Sequence, residues 1–339
     1  MTATLPAQVN AARDVVRPAL RAAIDELDPG IAKVVGYHFG WLDACGDPVP
    51  GNGGKALRPA LALLSAQAAG MPSDDAVPAA TAVELIHNFS LLHDDVMDGD
   101  RERRHRATAW TVFGMPAAIL AGDALLTLAV EVARRRYDGP RATAVIGCLD
   151  EAVQRLIAGQ SADVGFEQRA DVTLSECLDM AAAKTGALMR CATSVGALAV
   201  GAPASTVARL AEFGEHIGLA FQLIDDLLGI WGTPEVTGKP ALADLRVKKK
   251  SVPVVVALNA NSVAGETFRD VYLRPEPFHE DDLPALAELV ERAGGAAWTQ
   301  SEADRHIQLA RNALDSVGAP EGVHQALWST ALFVTGRDR

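Results

Sequence analysis

Aromatic side chains are scarce, with five Trp, three Tyr and nine Phe among 339 residues. Aliphatic residues, mostly Ala, Leu and Val, make up most of the 49% apolar fraction, and that composition favours helices. Cysteines are few as well: Cys45, Cys148, Cys177 and Cys191 form no CxxC pair and match no histidine spacing. This excludes a zinc-finger pattern and a disulfide framework, and predicts a reducing, cytoplasmic compartment. The opening stretch MTATLPAQVNAARDVVRPAL lacks the apolar run of a signal peptide. Longer apolar stretches are interrupted by Asp123 in one place and by Lys184 and Arg190 in another, so no membrane span is predicted. Basic residues are outnumbered 31 to 43, giving a net charge of −12 with no basic stripe. That argues against nucleic acid as a partner. An anionic substrate would then depend on local cations or metal ions.

What is abundant is apolar spacing of three and four with alanine-rich interiors. It predicts helices over 6–27, 31–44, 56–70, 75–98, 116–137, 140–160, 173–183, 185–200, 204–231, 251–260, 283–294, 297–317 and 322–334. Gly- and Pro-rich breaks at 46–54, 71–75, 201–203 and 231–240 separate them. No linker is long enough to divide the chain. The expectation is an all-α fold, a single antiparallel helical bundle over residues 1–339 around a central cavity.

Two long helices each carry a carboxylate pair near the C-terminal end, where the helix dipole disfavours negative charge. The first is TAVELIHNFSLLHDDVMD (81–98), with Asp94, Asp95 and Asp98. Positions four apart lie about 40° round the helix, so Asp94 and Asp98 share a face. Carboxylates one turn apart suit a hard cation such as Mg²⁺, which also takes water and phosphate oxygens. The second is STVARLAEFGEHIGLAFQLIDDLLG (205–229), with Asp225 and Asp226 and with Gln222 three residues earlier. Cationic groups accompany both. Lys55 and Arg58 stand in GGKALRP at a helix start, a place suited to phosphate. Arg103 and Arg104 follow the first acid cluster. His87 lies about two turns before Asp94 on nearly the same face. Lys184, Lys239 and the run Lys248–Lys250 lie in segments near the second pair. Two acid clusters ringed by cations point to a diphosphate ester.

In this order and spacing, GGKALRP, LLHDDVMDGDRERRH, AGDALL (121–126), KTGAL (184–188), FQLIDDLLG (221–229), GKP (238–240) and DLRVKKKSVP (244–253) resemble the trans-isoprenyl diphosphate synthases, the polyprenyl synthetase family. The resemblance implies the isoprenoid synthase fold, a homodimer, and about three Mg²⁺ ions per active site when substrate is bound. It implies that Asp94 and Asp98 are the principal Mg²⁺ ligands, with Asp95 secondary. Asp225, beside Asp226, would bind metal on the opposite wall. Arg103, Lys184, Gln222, Lys239 and Lys249 would contact an allylic diphosphate, and Lys55, Arg58, His87 and Arg104 the diphosphate of isopentenyl diphosphate. The implied reaction is head-to-tail 1′-4 condensation through an allylic carbocation.

The chain departs from the family pattern in four places. Gly229 stands where a third aspartate is usual, His105 and Lys248 where glycine is usual, and Trp110 where histidine is frequent. The glycine position taken by Lys248 leaves the choice between it and Lys249 open. Phe89 and Ser90, five and four positions before Asp94 in a motif without insertion, resemble the pattern of synthases making geranylgeranyl diphosphate. A farnesyl or slightly longer product is the alternative. Ser90 lies about 40° from Asp94 and faces the same way, whereas Phe89 lies about 140° away. Two other protein classes share parts of this pattern. A terpene cyclase would have no use for Lys55, Arg58, His87 and Arg104. A regulatory subunit commonly lacks first-motif aspartates or arginines that are present here.

Overall fold

The structure, a computed structural model, describes residues 6–50, 54, 56–234 and 240–336. It is helical almost throughout. In chain order the helices are α1 (Ala7–Ile24), α2 (Pro29–His38), α3 (Leu57–Ala68), α4 (Val77–Met97), α5 (Ala109–Phe113), α6 (Met115–Arg136), α7 (Gly139–Phe166), α8 (Leu174–Ala181), α9 (Ala187–Ala199), α10 (Ala204–Trp231), α11 (Ala243–Arg246), α12 (Val252–Asn259), α13 (Val263–Tyr272), α14 (Leu283–Arg292), α15 (Gly295–Asp315) and α16 (Glu321–Thr335). The strands described are β1 (Glu102–Arg103) and β2 (Arg106–Ala107), an antiparallel hairpin pairing Glu102 with Ala107 and Arg103 with Arg106.

Local signals explain several boundaries. Asp28 caps α2 by accepting from the Gly30 and Ile31 amides, and Thr173 and Glu176 form a capping box on α8. The helix predicted over 31–44 ends at His38, because Gly40 adopts φ +71° and the Asp43 carboxylate gathers the amides of Cys45, Gly46 and Asp47 into a turn. The helix predicted over 140–160 continues to Phe166. Helices α8 and α9, predicted with a break at Lys184, are joined by a π-helical turn, Ala182–Gly186. The unpredicted α13 buries Ala264, Phe268 and Tyr272, one turn apart each, against a satellite core with Ile230, Leu258 and Val290.

The central layer is α4, α9 and α10. Helix α6 packs on α4, α3 on α4 and α9, α7 on α9, and α15 on α10. One apolar cluster runs through them from Val9 to Val334. Leu61, Leu85, Ile86, Leu92 and Leu188 are fully buried in it, where truncation of one to Ala costs about 2–5 kcal/mol.

Helix α6 departs from the sequence reading. Its 22 residues include a stretch with mean hydropathy 1.6, long and apolar enough to cross a membrane by length and composition, and 33% of that stretch is buried. Asp123 does not break it. One side of α6 (Ala118, Ala121, Leu125, Ala129) packs inward, while Met115, Ile119, Leu120 and Val130 are exposed.

Candidate active site

Helix α4 ends at Met97 with Asp98 as its C-cap, so Asp94, Asp95 and Asp98 occupy its last turn, as expected. They do not point alike. Asp94 and Asp98 lie within electrostatic reach of Lys184, and Asp98 also of Asp163 and Lys249. Burial, the largest effect, raises Asp94 to about 6; Lys184 opposes the rise and Asp98 adds to it. Burial likewise raises Asp98. Asp95 turns the other way. Its side chain is 2% exposed and accepts from Arg103 Nε at 2.6 Å, so the arginine assigned to substrate already holds an aspartate through one nitrogen.

Lys184 sits in the π-turn between α8 and α9. Its Nζ donates to Asp163 Oδ2 of α7 at 2.5 Å. The turn can press against α7 because position 159 is Gly: a Cβ there would stand 2.3 Å from the Lys184 backbone nitrogen. Thr185, next in the turn, donates to Gln222 Oε1 at 2.6 Å, and Gln222 Nε2 donates to Asp226 Oδ1 at 2.9 Å.

The second acid pair divides as the first does. Asp226 is buried and accepts from the Val252 amide at 2.9 Å as well as from Gln222, with Lys249 Nζ 3.9 Å away. Burial, resisted by Lys249, lifts it to about 6. Asp225, on the next helical position, lies within electrostatic reach of Lys249 together with Asp163 and Asp244. Burial works to lower Lys249, yet Asp226, Asp244, Asp163 and Asp225 outweigh it and hold the amine protonated above its usual range. The three lysines of the triplet have different partners. Lys248, at φ +55°, donates to the carbonyls of Arg274 and Glu276 and lies over the Phe278 ring. Lys250 is buried near the Tyr272 ring. Lys249 alone of the three faces the aspartates.

A second cationic group lies behind α4. Arg58, in the first turn of α3, donates from Nη1 to His87 Nε2 at 3.2 Å. Burial, followed by Arg58 and Arg104, keeps His87 well below its ordinary value, so the ring is neutral. Buried Glu84, three residues before His87, lies within electrostatic reach of Arg58 and Arg104; burial raises it and both arginines oppose the rise. The Arg104 guanidinium rests over Gly54. A cavity of about 550 Å³ opens beside them, lined in part by Tyr37, His38, Gly54, Arg103 and Arg104. Arg104 and His105 form the β1–β2 turn at φ +54° and +60°, which explains why glycine is usual at position 105. Lys55 and Lys239 lie outside the described residues. Trp110 donates from Nε1 to the Asp100 carbonyl at 2.8 Å.

Phe89 and Ser90 also part company. Ser90 donates to the His87 carbonyl at 2.9 Å, while the buried Phe89 ring stacks edge-on against His93, whose Nε2 is 3.0 Å from the Ile119 carbonyl of α6. Asp163, Glu84 and Asp244 are not among the site residues expected from sequence. Glu84 shares a helix face with His87 and Asp244 opens the motif DLRVKKKSVP, so both were within reach; lone Asp163 carries no such signal.

A family model described as polyprenyl synthetase matches residues 40–290. The chain is 46% identical to a (2E,6E)-farnesyl diphosphate synthase of Mycobacterium bovis over 98% of this chain and 93% of that protein. It is 44% identical to a geranylgeranyl diphosphate synthase of Mycobacterium tuberculosis over 90% and 87%. The crystal structure of a polyprenyl synthetase from Streptomyces coelicolor A3(2) superposes with a TM-score of 0.92 at 47% identity, covering 98% of this chain and 99% of that one. Acid pairs on two helices, the lysine between them, the separate arginine group and these likenesses converge: the chain belongs to the polyprenyl synthetase family and is a trans-isoprenyl diphosphate synthase.

Proposed function

We propose that this synthase joins isopentenyl diphosphate head-to-tail to allylic diphosphates and ends at geranylgeranyl diphosphate. The observation carrying the site assignment is that Asp98 of the first motif and Asp225 of the second, on different helices, both lie within reach of Lys249. Arg58, His87 and Arg104 form a separate cationic group around Glu84. Each diphosphate then has its own cations.

Mg²⁺ fits the donor set. The donors are carboxylates on two helices, and Mg²⁺ keeps waters and takes phosphate oxygens beside one or two carboxylates. Asp94, Asp98 and Asp225 would hold it, and the raised Asp94 and Asp98 register a charge cost that a cation relieves. When bound, the metal supplies charge neutralisation of the diphosphate. Lys184 and Lys249, with Arg103, Lys239 and the remaining Gln222 amide hydrogen, bind the allylic diphosphate and take up charge as its C1–O bond breaks. Arg58, Arg104, Lys55 and neutral His87 hold isopentenyl diphosphate so that its double bond faces that carbon. C4 forms the new bond to C1, and a proton leaves C2 for an oxygen of the released diphosphate. The aliphatic lining excludes water from the cation.

Ser90 supports the longer product, since its small side chain leaves room one turn below Asp94. Farnesyl diphosphate is the second reading, favoured by the 46% identical relative of that name. A homodimer closed through the exposed apolar face of α6 completes the proposal. Purified protein with Mg²⁺, radiolabelled isopentenyl diphosphate and each allylic primer tests the chemistry. A twenty-carbon diphosphate is expected and a fifteen-carbon endpoint supports the second reading. Hydrocarbon products, or no turnover, would overturn both.

A further inference from the structure

Gly229 removes the third carboxylate of the second acidic motif, and the structure shows what occupies its place. A Cβ at position 229 would stand 2.5 Å from Asp244 Oδ2, 2.6 Å from its Cγ and 2.8 Å from Oδ1. Each separation is inside van der Waals contact. A side chain at 229 would therefore displace the Asp244 carboxylate from where it lies.

Asp244 comes from α11, which starts after Leu242 at φ +61°. Its carbonyl accepts the Lys249 amide at 2.9 Å, and the Lys249 carbonyl accepts from the Tyr272 hydroxyl at 2.9 Å. The Lys249 backbone is thus gripped on both sides, and Lys248 is pinned away toward Arg274 and Glu276. Asp226, whose Oδ1 is 3.9 Å from Lys249 Nζ, and Asp244 attract the Lys249 amine more than the other nearby acids do.

We infer that Asp244 is the positioning residue for Lys249, entering the space over Gly229 to supply the carboxylate that the second motif lacks. The inference deepens the site proposed above and rests on Lys249 meeting the allylic diphosphate. It reverses the obvious reading of the sequence. Restoring the usual aspartate at 229 places a side chain where the Asp244 carboxylate lies and sets two acids against each other, so it harms the site instead of repairing it.

The test is a cycle of Gly229→Asp, Asp244→Asn and the double variant Gly229→Asp/Asp244→Ala, which returns one acid to the same space. Each single variant should raise the KM for the allylic diphosphate about tenfold while leaving the KM for isopentenyl diphosphate unchanged, the coupling expected of contacting residues. The double variant should return to within about threefold of the parent. Thermal melts add a readout independent of turnover: Gly229→Asp should melt lower and the double variant should recover. If the parent makes no prenyl product, the proposed function fails while the melts still judge the steric exclusion. If Gly229→Asp keeps both the parental melting point and the parental allylic KM, the inference is overturned.

Discussion

Among the described residues, His38 has its protonated form suppressed by burial first and then by Arg104, Arg103 and Arg106, which bring it down to about 3. The unfolded chain takes up this proton near 6.5, whereas the folded chain takes it up only near 3. His38 therefore costs stability as pH falls from 6.5 toward 3, by at most about 1.4 kcal/mol per pH unit. Asp94 and Asp226, each lifted to about 6, work oppositely: their burial costs stability as pH rises from 3.8 to about 6. Urea melts at pH 5 and 7 separate them, because His38→Gln should shrink the loss at pH 5. Product length is set at the same scale. Ser90→Phe should shorten the product and Phe89→Ala lengthen it, read by chromatography of radiolabelled products; unchanged lengths in both would sink the pocket-floor assignment. Residue types at helical spacing made Asp94, Asp98 and Asp225 legible in the sequence. The expectation already set Asp95 apart from Asp94 and Asp98; what was not legible is which groups hold Asp95 and Asp226, because Arg103 and the Val252 amide come from other segments. Arg103 turns Asp95 away, and the Val252 amide with Gln222 holds Asp226.

At the scale of elements, the π-turn Ala182–Gly186 brings Lys184 to Asp163 and Thr185 to Gln222. It depends on a bare backbone at 159. Gly159→Ala would push α7 off the turn and should destabilise the protein by about 1–3 kcal/mol. It should also slow turnover through Lys184, so a variant with parental urea midpoint and parental kcat would refute the dependence. Such a turn has no apolar period of its own, so the sequence reading placed a break at Lys184. Helices with a clear buried stripe, such as α4 and α10, were legible to within two residues at their C-terminal ends. Helix α7 runs six residues beyond its predicted end at 160, and Gly159 within it is a contact with the π-turn. Helix α13 escaped because it is short and lies among acidic and proline-bearing segments.

For the whole molecule, the net charge of −12 hides a local balance. Asp94 and Asp98 of α4 lie within electrostatic reach of Lys184, and Asp98 with Asp225 of α10 within reach of Lys249. The apolar side chains Met115, Ile119, Leu120 and Val130 of α6 face outward, with Ile157 and Val164 of α7 exposed as well. If a second copy covers the α6 face, Leu120→Glu, at a site 56% exposed, should leave the melting of the subunit nearly unchanged but halve the sedimenting mass. A parental mass would refute the assignment. The overall helical plan was legible because composition and period agree along most of the chain; the outward face of α6 was not, because period alone does not say what covers a helix. One last feature reaches further than its local geometry. Among the described residues, the non-glycine positions with left-handed backbone, Ala56, Arg104, His105, Leu242 and Lys248, all lie in the segments that carry Lys55, Arg104 and Lys249. Each costs about 1–2 kcal/mol that glycine would not. Selection for heat resistance alone would therefore draw glycine into these positions, and the pattern of survivors would trace on the gene the loops that turnover cannot spare.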